Sequence, residues 1–174
     1  MRLVVLSTLI AIVAGGAFAA DAPPCRAHDM GRALDFWLGD WRVTSMDGKT
    51  VYGENHVTAD LGGCAIHEDW TAASGGKGKS LFFFDAREGR WEQIWVTADT
   101  ARPGGLKHKR LIARLADGGV RFQAELTGAG GGSYLDRTTL TPQADGSVRQ
   151  LIEVSTDAGA TWRAVFDSLY RRAQ

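Results

Sequence analysis

Cysteine and histidine are scarce in this 174-residue chain, neither sign of charge prevails, and no apolar run is long enough to cross a bilayer. Each shortage excludes something. The two cysteines, Cys25 and Cys64, have no CxxC spacing, so they do not form a zinc site. The histidines His28, His56, His67 and His108 are far apart, with no i,i+2 or i,i+4 pair to close on a metal ion. His67, Glu68 and Asp69 are adjacent in sequence, but neighbouring residues of a strand point to opposite faces and cannot share an ion. No metal is therefore expected. Lys and Arg number 20 against 20 Asp and Glu, a balance without the basic excess that a nucleic-acid partner calls for. The one basic cluster, Lys107-His108-Lys109-Arg110, reads as a solvated strand face. No G-x-S-x-G nucleophile elbow occurs, and the glycines of Gly75-Gly76-Lys77-Gly78-Lys79 lack the order of a phosphate-binding loop.

The apolar run that is present lies at the start. Arg2, the uncharged stretch Leu3 to Val13 and the small residues ending in Ala17-Phe18-Ala19 have the layout of a secretory signal peptide. A membrane-spanning helix needs about 20 apolar residues, more than this run offers. The reading is a signal at 1–19 and one domain at 20–174, periplasmic or secreted, with no stable membrane anchor after cleavage. An uncleaved anchor is the alternative. In an exported chain an even cysteine count suggests a Cys25–Cys64 disulfide, the alternative being two unlinked thiols.

After a Pro23-Pro24 leader, Met30 to Trp37 reads as one short helical turn with Asp29 as its N-cap. From Trp41 onward, short alternating runs are separated by Gly and Asp-Gly pairs, the punctuation of an all-β chain. About nine or ten strands follow, beginning near Trp41, Val51, Ala65, Ser80, Trp91, Leu106, Val120, Ser133, Ser147 and Thr161. Their hairpin-length connections predict antiparallel pairing, because parallel strands need long crossovers. A meander of this length disposes of its edges by closing into an up-and-down β-barrel, with a two-sheet sandwich as the alternative. Ser155 to Trp162 matches S-x-D-x-G-x-T-W, a hairpin whose Ser and Asp side chains cap backbone amides while the Trp folds beneath. A single copy describes a turn and not a propeller. The Gly-rich loops 74–79 and 128–132 read as mobile hairpin tips, with a lid at a barrel mouth as the alternative for either.

Strand alternation sorts the chemistry. Ile66, Glu68 and Trp70 share one face, as do Trp91, Gln93, Trp95 and Thr97. If the tryptophans point inward, Glu68 and Gln93 point inward beside them, giving the aromatic walls and few polar groups of a ligand cavity. A buried carboxylate needs a partner, and Arg137, Gln93 and Glu153 are the candidates.

Gly39-Asp40-Trp41, just before the first strand, resembles the G-x-W signature of lipocalin and wider calycin barrels. The segments "FWLGDW", "GGCAIHEDW", "SLFFFD", "WEQIWV" and "EVSTDAGATW...FDSLYRR" together resemble one branch, secreted bacterial calycin-like proteins of unknown function. The resemblance implies a small antiparallel barrel in which Trp41 closes one end, with Phe36, Trp37 and Gly39 beside it. A basic residue near the last strand, Arg171 or Arg172, would pack over the plug, and Arg171 is the first choice. The related nitrobindin-like proteins hold heme through a C-terminal His; this chain has no His after His108, so no cofactor is expected. Lipocalin analogy suggests a small hydrophobic or amphipathic ligand, bound without catalysis by Glu68, Trp70, Gln93 and Trp95, with Arg137 and Glu153 as further candidates. The alternatives are an enzyme using Glu68 or Glu153 as general acid/base, which with Glu125 gives carboxylate pairs for glycoside chemistry, and a structural protein whose barrel is filled by its own side chains.

Overall fold

The computed structural model describes residues 23–173; the predicted signal segment lies outside the described residues. The alternating runs form ten strands: β1 (Gly39–Thr44), β2 (Val51–Asp60), β3 (Ala65–Ala72), β4 (Lys77–Asp85), β5 (Arg90–Thr97), β6 (Leu106–Arg114), β7 (Val120–Thr127), β8 (Ser133–Pro142), β9 (Val148–Ser155) and β10 (Arg163–Arg172). Each pairs antiparallel with its sequence neighbours, and β1 pairs with β10 through Trp41 opposite Arg172 and Val43 opposite Tyr170. That last pairing closes the ring and excludes the sandwich. Ring closure satisfies backbone groups that an open sheet would leave at two edges.

The helical turn expected over Met30 to Trp37 takes a different form. Three separate 3-10 turns cover Pro24–Ala27, Asp29–Arg32 and Asp35–Trp37. Asp29 is the first residue of its turn; His28 occupies the cap position without a capping side chain. The short pieces follow the bottom of the barrel, where tertiary contacts outweigh local helix preference. The Trp91 indole donates to the Met30 carbonyl at 2.7 Å, and His28 lies against Phe84. The Cys25–Cys64 disulfide fastens this segment to the turn between β2 and β3. Closing 39 residues of chain contributes about 4 kcal/mol on a chain-entropy estimate.

The same end carries the apolar core. Trp37, Trp41, Val43, Val57, Ile66, Phe82, Trp91, Val120, Phe122, Leu140 and Tyr170 are all essentially inaccessible to solvent. The Trp41 indole donates to the Trp37 carbonyl at 2.9 Å, the two rings stack at 6.0 Å, and Trp37 leans on Tyr170 at 4.8 Å. Phe36 packs half-buried against this cluster. The basic residue over the plug is Arg172, with its guanidinium 4.0 Å above the Trp41 ring and a 2.5 Å hydrogen bond to the Leu38 carbonyl. Arg171, the first choice from sequence, is on the opposite face and reaches the Thr44 hydroxyl. Parity decides between them: Arg172 stands directly opposite inward-facing Trp41, and Arg171 opposite exposed Arg42.

Gly39 is required twice. Its φ of +134° suits glycine, and a Cβ there would collide with the Arg172 guanidinium. Gly39→Ala should cost about 1 to 3 kcal/mol in urea unfolding. In an Arg172→Ala background, where the collision is gone and only backbone strain remains, the cost should fall by about 1 kcal/mol. Equal costs in both backgrounds would show that the two residues are not coupled.

Candidate functional site

The other half of the barrel is not filled. A cavity of about 500 Å³ opens at the end where β3, β5, β7 and β9 finish, and Glu68, Trp70, Gln93 and Trp95 all line it. The register explains why. Residues opposite each other across neighbouring strands share a face, and Glu68 faces Ser80, Ser80 faces Trp95, and Trp95 faces Lys107. Register shifts occur in β1, β6 and β10, but β3, β4 and β5 pair with one another without one, so alternation assigns their inner faces correctly. Gly78, inward on β4, makes room for Trp95, since a Cβ there would strike the indole.

Arg137 and Glu153 are not part of this cavity. Arg137 lies between inward Asp136 and Thr138 on β8, so it points outward. It meets Glu153 in a two-bond pair of 2.7 and 3.1 Å and lies 3.8 Å over the Trp162 ring. This outer cluster supports the hairpin built by Ser155 and Asp157. The Asp157 carboxylate accepts from the Thr161 amide at 2.9 Å and the Thr161 hydroxyl at 2.6 Å, and the Trp162 indole donates to the Gly159 carbonyl. Hydrogen bonds from Ser155 and Thr161 bring Asp157 down to about 2.

Glu68 finds its partner in Asn55, which donates to it at 2.9 Å across the β2–β3 ladder. Neither Arg137 nor Glu153 fills that role. Gln93 donates to the Ser80 hydroxyl at 3.0 Å, while its own carbonyl oxygen is buried with no partner among the described residues. The basic run of β6 is also divided by parity. His108 and Arg110 face out, but Lys109 is among the most buried side chains in the protein. Its ammonium contacts both Asp136 and the Thr138 hydroxyl, and Lys107 reaches the other Asp136 oxygen at 2.7 Å. Tyr170 donates to Gln150 at 2.7 Å, completing the polar layer between core and cavity. Of the lid candidates, neither Gly-rich loop lines the cavity; the loop segment at its mouth is Arg102-Pro103-Gly104.

Burial pushes Glu68 above the ordinary carboxylate range, against hydrogen bonds from Ser80 and Asn55 and the charge of Lys109. Burial also lowers Lys109 from 10.5 to about 8, although the Asp136 charge opposes the fall. Burial alone would raise Asp136; the charges of Lys109 and Lys107 overrule it and hold the carboxyl below its usual value. Tyr170 is raised by burial and then by the Glu68 charge. No protein-family model matches this chain, and a search of curated proteins finds no match.

Two pH windows follow. Glu68 holds its proton more tightly folded than unfolded, so its contribution to stability is complete below about 4.5 and is lost as pH rises through the folded value. Lys109 behaves oppositely: the folded protein gives up this proton first, so its burial penalty is relieved between about 8 and 10.5. Glu68→Gln keeps the acceptor for Asn55 and removes the titration. Its melting temperature relative to wild type should therefore rise between about pH 4 and about pH 7; a constant difference would contradict a raised Glu68.

Proposed function

We propose that this protein is an exported, calycin-like β-barrel that binds a small hydrophobic or amphipathic molecule in the open half of the barrel, without catalysis. The hollow half of the barrel carries the reading: the strand register turns Glu68, Trp70, Gln93 and Trp95 towards one open space that the protein's own side chains do not fill. The cavity volume of about 500 Å³ is in the range of small-molecule sites, and Trp70, Trp95, Ile152 and Phe166 supply apolar wall. The division of the barrel into a packed half and a hollow half favours binding over a purely structural role. Export is supported by the disulfide and by the signal-like start of the sequence. No helix among the described residues is long and apolar enough to cross a membrane.

One observation favours a second reading. Glu68 is a buried carboxyl with a raised proton affinity beside an open cavity, which is how a general acid is prepared. Glu153 drops out of that reading because Arg137 holds it on the outer face.

Trp70 and Trp95 report on occupancy directly. Titration with a panel of fatty acids, alcohols and aromatic amphiphiles should give a saturable change in tryptophan emission, and Trp95→Ala should weaken binding about tenfold by removing one aromatic wall. No saturable response across the panel would end the binding reading. Turnover of a bound ester or glycoside, abolished by Glu68→Gln with binding retained, would establish the second.

A further inference from the structure

Three cations and two carboxylates surround the cavity. Arg102, Lys107 and Lys109 line it, Glu68 stands across from them, and Asp136 lies behind the lysines. Asp136 has both oxygens engaged, one by each lysine. Two ammonium groups carry six N–H donors, and the bonds to Asp136 and Thr138 use only three of them. The Arg102 guanidinium, at the exposed mouth, has no acidic partner among the described residues. The acceptors that meet these cations are thus too few for their donors, and positive charge exceeds negative.

A cavity with that imbalance favours an occupant that brings acceptors and one negative charge. The donors lie on the β6 side, while Phe166 and Ile152 supply apolar wall from β9 and β10. Head and body of a ligand would therefore be separated, with its anionic end toward Lys107 and Lys109 and its apolar body toward the opposite wall. Asp136 offsets the repulsion between the lysines and holds both ammonium groups in place before any ligand arrives. Such preorganisation reduces the cost of ordering long side chains on binding.

Resting on the binding reading above, we infer that the ligand class is an amphipathic organic acid, its carboxylate held by Lys107, Lys109 and Arg102 and its apolar body held against Ile152 and Phe166 on the opposite wall. The acid is bound as its anion, with no bond made or broken.

Two matched series test this by calorimetry on the mature protein: decanoate, decanol and decylammonium, and naphthylacetate, naphthylethanol and naphthylethylammonium. In at least one series the acid should bind about tenfold more tightly than its alcohol, the scale of one hydrogen bond to a charged group, and the amine most weakly. Lys109→Met leaves Asp136 buried with half its pairing and is expected to fold poorly. The decisive variant is therefore Arg102→Gln combined with Lys107→Gln, at the mouth, with thermal melting as the folding control. It should lose most of the preference for the acid while binding the alcohol within about twofold of wild type. Alcohol and acid binding equally well in both series would overturn the acid assignment and leave the binding reading standing, as would an acid preference that survives in the double variant. No binding of any of the six compounds, together with silence across the broader panel, would overturn both.

Discussion

Pairing of β1 with β10 is the constraint on which the rest of the barrel depends. Without it the sheet has two edges and no inside; with it, every alternate side chain of ten strands is committed to a common interior. The contact that secures the pairing is small. Arg172 lies over the Trp41 ring and binds the Leu38 carbonyl, and the space it occupies exists because residue 39 has no Cβ. The aromatic plug is thus held from below by the disulfide-fastened 3-10 turns and covered at the side by the last residue of β10.

The interior then divides by chemistry. Towards the plug it is apolar and full, with aromatic rings meeting edge to face between Phe82 and Phe122 and between Phe84 and Trp91. Above that lies a layer of polar residues that hydrogen-bond to one another: Asn55 with Glu68, Ser80 with Gln93, Lys109 with Asp136 and Thr138, and Gln150 with Tyr170. Buried charge is tolerable there because each group is bonded. The polar layer is both the lid of the core and the floor of the cavity, so the groups that close off the core also line the open space. The shifted proton affinities of Glu68 and Lys109 reflect their burial in that layer.

Much of this was legible from strand period and turn punctuation. β2 and β7 begin where the alternation places them, and the inward set Glu68, Trp70, Gln93 and Trp95 follows from parity on strands that pair without a shift. The errors have equally physical origins. Choosing between Arg171 and Arg172 required knowing which residue faces Trp41, and that depends on the pairing of two strands at opposite ends of the chain. Lys107 and Lys109 were hidden in a run of four basic residues that looks solvated; only the inward Asp136 and Thr138, two strands away, make burial affordable. Asn55 as the partner of Glu68 depends on cross-strand register, which composition does not carry. Arg137 and Glu153 do meet each other, but on the outer face that parity on β8 and β9 dictates.

The position of the Arg172 contact also has a consequence in time. Local hairpins from β2 to β9 can form as soon as their residues are available, and the Cys25–Cys64 bond needs only the first third of the chain. Pairing of β1 with β10 spans the longest sequence separation in the molecule, the kind of contact that slows folding most. For a chain delivered N-terminus first, oxidation of the cysteines can precede closure, whereas closure must await the final strand. Until then Trp41 has no cation above it and β1 remains an unpaired edge, so the barrel is most vulnerable to misassociation just before β10 arrives.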